Sequence, residues 1–89
     1  MTGKIRVIVR KGDYGWIAQG LEADVCVQVK NEFELREAFD LTMMLEANEH
    51  GGIEKIGHAP KEYFDLWDKL EKPDDENFSD ATYTFGVAA

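Results

Sequence analysis

The chain has one cysteine, Cys26, and one serine, Ser79. A single cysteine excludes an internal disulfide framework and fits a reducing compartment, so the cytoplasm is the expected location. Ser79 stands in an acidic stretch with no histidine beside it, which gives no opening for a Ser–His–Asp arrangement. Apolar runs are all too short to cross a bilayer, and Met1 to Val7 holds no uninterrupted apolar stretch of the signal-peptide kind, so no membrane is expected as a partner. Gly12, Gly15, Gly51 and Gly52 lack the lysine and the strand–loop–helix setting of a phosphate-cradling loop. There is no internal repeat and no low-complexity segment.

Basic residues are also scarce over most of the chain. Residues 1–30 hold five (Lys4, Arg6, Arg10, Lys11, Lys30) against three acids, a net of +2; residues 31–89 hold five against fifteen acids, a net of −10. Phosphate contacts need lysine and arginine, so the acidic two-thirds is not expected to bind nucleic acid directly. It would attract a basic protein and speed its association, or serve only to keep a small protein in solution.

What is present is the makings of one small core. The length of 89 residues suits a single domain over 1–89 with no C-terminal DNA-binding domain, and 44% hydrophobic content argues against disorder. Residues 4–10 alternate, with Ile5, Val7 and Val9 on one face and Lys4, Arg6, Ile8 and Arg10 on the other. Gly12-Asp13 has turn chemistry. Residues 14–20 then place Tyr14, Trp16 and Ala18 on one face and Ile17 and Gln19 on the other, with Gly15 and Gly20 as end marks; residues 24–30 set Val25, Val27 and Val29 against Cys26, Gln28 and Lys30.

Asn31 reads as a helix cap, followed by Glu32, Glu34 and Glu37 at the positive end of a helix. Its core stripe is expected at Leu35, Ala38, Phe39, Thr42 and Leu45, widened by Leu41 and Met44, and Gly51-Gly52 should stop it. A loop over 51–58 leads to a second helix from Pro60, with Tyr63, Leu66, Trp67 and Leu70 on one face and Lys72-Pro73 ending it. After an acidic loop at 74–80, residues 81–87 alternate as a fourth strand lying parallel to the first. The expected fold class is α+β, βββα(α)β: a three-stranded antiparallel meander plus a fourth strand, with helix packed on one face.

Gly15-Trp16-Ile17-Ala18, Cys26 ten residues after Trp16, and Arg36-Glu37-Ala38-Phe39 in the first helix resemble the N-terminal domain of the HicB-like antitoxin family. The likeness covers roughly residues 5–45, and Gly20 to Val25 stands where the family carries prolines. Many family members also carry a C-terminal DNA-binding domain. The resemblance implies the same βββαβ fold and a protein that binds and masks a small, basic, RNA-cleaving toxin.

No catalytic constellation emerges. Glu46, Glu49 and His50 share a helix face, with Glu54 and His58 further on, but no histidine or cysteine spacing supports a metal site, and no cofactor is expected. Cys26 falls mid-strand with no histidine at a recognisable interval, as a small buried or edge side chain would. Tyr14 and Trp16 are either core or, beside Arg10, an aromatic–arginine patch of the kind enriched at interface centres; Tyr63 and Trp67 face the same choice. Asp74, Asp75, Glu76 and Asp80 form either a solvated loop or the contact for a basic partner. The partner-binding candidates are therefore Tyr14, Trp16, Asp74, Asp75, Glu76 and Asp80. The expected function is a non-enzymatic acidic binding module of antitoxin type, with a phage anti-CRISPR or anti-restriction inhibitor as the alternative. A homodimer through the sheet edges is a further expectation.

Overall fold

The computed structural model describes residues 4–70 and 83–88. The first alternating run forms β1 (Ile5–Gly12). Asp13 and Tyr14 turn the chain into β2 (Gly15–Gly20), and Gly12 pairs with Gly15 across the hairpin. The turn therefore sits one residue later than Gly12-Asp13 suggests, and the positive φ, 139°, belongs to Gly15. β3 (Cys26–Val29) continues antiparallel to β2. β4 (Tyr83–Val87) lies parallel to β1, with Val7 opposite Phe85.

The strand order is β3-β2-β1-β4. β1 thus has an antiparallel neighbour on one side and a parallel one on the other. The result is a single mixed sheet in a small α+β domain, not a self-contained meander to which a strand is added. The parallel pair needs a long crossover from one sheet margin to the other, and the helical segment supplies it.

Alternation fixes the two faces. Ile5, Val7, Val9, Ala18, Tyr83 and Phe85 are buried on the first, under α1 (Leu35–His50). The helix contributes Leu35, Phe39 and Met43, each at most 6% exposed. Burying a side chain of this size contributes about 1.5–3 kcal/mol relative to leaving it in water. The core stripe therefore advances by four residues at a time and stops there. Leu41, Met44 and Leu45, expected to extend it, are 57%, 63% and 62% exposed, because at 100° per residue they point to the opposite side of the helix.

α2 (Lys61–Lys69) covers the other face, so the expectation of helix on one side only is corrected. A Cβ added at Gly86 would stand 2.8 Å from Trp67 Cζ3 and 3.0 Å from Leu70 Cδ1. Ile8, placed by alternation on the outer side of β1, is 2% exposed for this reason. Arg6 is likewise no solvated outer residue. Its guanidinium carbon lies 5.2 Å from the Phe64 ring centre and 5.9 Å from that of Trp67, and its Nε donates to Glu22 Oε2 at 2.6 Å.

Local signals explain the helix ends. Asn31 Oδ1 accepts from the Glu34 N–H at 3.2 Å and opens a 3-10 turn, Glu32–Glu34, that feeds α1. Gly51 closes α1 with φ 87°, its N–H donating to the Ala47 carbonyl at 2.9 Å. The 51–58 loop contains a further 3-10 turn, Ile53–Lys55. Pro60 is the residue preceding α2 rather than part of its first turn. Lys72-Pro73 lies outside the described residues. Asn31→Ala is expected to lower stability by about 1 kcal/mol, read by urea denaturation, since the cap bond is exposed and a fraying 3-10 turn can be resolvated.

Candidate protein-binding surfaces

Trp16 at the start of β2 and Val9 near the end of β1 form the floor of an apolar groove at the hairpin end of the first sheet face. Phe85 and Val87 of β4 continue that floor, while Glu32, Phe33, Leu35 and Arg36 supply the opposing wall. The groove encloses about 450 Å³ and is open along one side. Trp16 is half-buried there, while Phe33 is 90% exposed at the rim.

The sequence signal for Phe33 was available, because an aromatic flanked by Glu32 and Glu34 in a capping turn has no route into the core. Tyr14 does not join Trp16. It occupies the hairpin tip, 85% exposed, and does not line the groove. Arg10 does not join Trp16 either. It pairs with Ile17 while Lys11 pairs with Trp16, so alternation puts Arg10 and Trp16 on opposite faces of the sheet. The aromatic–arginine patch expected from Tyr14, Trp16 and Arg10 is thus not assembled. Asp74, Asp75, Glu76 and Asp80 lie outside the described residues.

A second, smaller cleft of about 240 Å³ lies under α2. Ile8, Arg10, Ile17, Gln19 and Cys26 line it from the sheet, and Glu62, Tyr63 and Leu66 from the helix. Tyr63 and Trp67 are half-buried, and Trp67 packs on this second face rather than in the main core. The amide nitrogen of buried Gln19 is satisfied, Nε2 donating to the Gly20 carbonyl at 2.9 Å and to Asp24 Oδ1 at 2.8 Å.

Cys26 is the first residue of β3 and not mid-strand, and it is exposed along the sheet margin. Partial burial of its thiol nevertheless pushes the pKa upward, with Arg10 opposing and Asp24 adding to the rise. A raised pKa leaves less thiolate at a given pH. Alkylation of Cys26 by iodoacetamide at pH 8 is therefore expected to run slower than that of a free cysteine peptide, the gap closing as pH increases.

Neither histidine lines the cleft that Cys26 borders. His50 Nε2 lies 3.2 Å from Glu46 Oε2, and the His58 ring lies 6.1 Å from that of Phe64. Among the described residues no three His, Cys, Asp or Glu side chains are grouped to hold a metal ion, and no helix is long and apolar enough to cross a membrane.

Charge concentrates on the first helical segment. Residues 32–50 contain Glu32, Glu34, Glu37, Asp40, Glu46 and Glu49 with Arg36 as the one arginine or lysine. Asp40 also accepts the Tyr83 hydroxyl at 2.7 Å, tying the acidic helix to β4. No family model, no curated protein and no solved structure matches the chain.

Proposed function

We propose that the chain is a non-catalytic acidic binding module of antitoxin type, which masks a basic, RNA-cleaving toxin by occlusion. The observation that carries this reading is the run of carboxylates along α1 and its capping turn, six acids to one arginine over residues 32–50. Such a segment has the sign of charge that suits a site built for RNA phosphates and that steers a basic protein toward it. The likeness to the HicB-like family supports the same role, and a single HicB-like domain acting in the cytoplasm belongs to this proposal. So does a homodimer formed through one of the outer strands, β3 or β4.

The test is capture with the tagged protein from its native host at low salt. The expected result is one small basic protein that elutes as salt rises and whose ribonuclease activity is silent in the complex. Recovery of a large nucleoprotein assembly would transfer the reading to an inhibitor of a nucleic-acid-binding machine. Retained ribonuclease activity in the complex would sink the antitoxin role.

A further inference from the structure

The outward side of α1 is apolar at its centre and acidic around it. Leu41, Met44 and Leu45 follow the i, i+3, i+4 spacing of neighbours on one helix face, and all three are more than half exposed. At 100° per residue they lie about 160° around the helix from the stripe of Leu35, Phe39 and Met43. Exposed Glu34, Glu37 and Glu49 border them, Asp40 is turned to the Tyr83 hydroxyl, and Arg36 lies toward the groove. The helix propensity of leucine and methionine suits α1, but so would that of glutamate, glutamine or lysine, and none of the three apolar side chains is buried. Methionine and leucine at this spacing are the residues by which a helix takes up another amphipathic element.

We propose that this face is the docking surface for a basic amphipathic segment of a protein partner. Leu41, Met44 and Leu45 receive its apolar side chains, and the bordering carboxylates receive its lysines or arginines. The proposal rests on the basic-partner reading and adds the place and manner of contact. Charge decides against the other occupants. A second copy packed α1 on α1 would bring both sets of carboxylates together on chains of net charge −8. An anionic lipid surface would meet the same repulsion.

The probe is a synthetic amphipathic leucine–lysine peptide, titrated at low salt and followed by methyl NMR. The expected shifts fall on Leu41, Met44 and Leu45. The Leu41→Ser/Leu45→Ser variant is expected to bind at least about tenfold more weakly with a melting temperature lowered by only a few degrees, because both side chains are mostly exposed and serine is a slightly weaker helix former than leucine. Equal binding by that variant, or shifts gathered at Trp16 and Phe33, overturns the placement and leaves the basic-partner reading standing. A homodimer that the double substitution dissolves overturns it in favour of a second copy. Failure of the peptide to bind also overturns the placement; only an empty capture from the host overturns the basic-partner reading with it.

Discussion

Phe39→Ala is expected to cost about 3–5 kcal/mol and to lower the melting temperature by more than about 12 °C, measured by urea and thermal denaturation. The side chain is fully buried and meets Tyr83 edge-on, ring centres 5.3 Å apart at 86°. Its ring edge also underlies Gly20, where an added Cβ would come within 3.1 Å of Phe39 Cζ. One residue therefore joins α1 to β2 and to β4, elements far apart in the chain. The aromatic pair adds about 0.5–1.5 kcal/mol beyond the area it buries. A domain of this length has about 4–13 kcal/mol to lose, so the variant should be largely unfolded at body temperature if the protein sits at the low end of that range. Phe39→Leu, which keeps most of the volume, should recover more than half of the loss. A cost below about 1 kcal/mol for alanine would mean that α1 is not seated on this face of the sheet.

Features governed by near neighbours in sequence were legible before the structure. Ile5, Val7 and Val9 announce a strand because period-two alternation needs no knowledge of the partner strand. Asn31 and Gly51 mark the helical segment because cap geometry is local. The parallel placement of β4 beside β1 also followed, since the intervening helices supply the length such a crossover requires.

What could not be read was which element covers which face. α1 carries apolar residues around much of its circumference, so periodicity alone cannot choose between Leu35/Phe39/Met43 and Leu41/Met44/Leu45 as the core side. Burial of Ile8 and the aromatic setting of Arg6 depend on α2 folding back over the second face, which is a tertiary event. Trp16 lines the groove at the hairpin end of the first sheet face. Its companions in the groove come from the 3-10 turn, α1 and β4, and short-range patterning does not bring these together.

Gly86→Val is the substitution that tests the second layer. Gly86 lies opposite Ile8 in the parallel pair, on the face that α2 covers. Trp67 Cζ3 and Leu70 Cδ1 come to 2.8 and 3.0 Å of the position a Cβ would take. Among its described residues α2 has none that is fully buried, only half-buried Tyr63, Phe64, Leu66 and Trp67. Its attachment is thus the part of the fold most open to being levered off. Alanine adds one carbon against the far edge of an indole that can slide, so Gly86→Ala should cost under about 1 kcal/mol. Valine adds two further methyl groups in the same gap, and the helix must lift. The expected cost is about 2–3 kcal/mol, at the upper end of overpacking effects. The lift would be reported by a red shift of Trp67 fluorescence, read in a Trp16→Phe background. Because α1 packs on the other face, methyl signals of Leu35 and Met43 should stay in place while those of Ile8 move. If Ile8 is undisturbed and Trp67 emission unchanged, α2 does not rest on Gly86. If Met43 shifts as much as Ile8, the two faces of the sheet are not independent, and the layered reading of this fold fails.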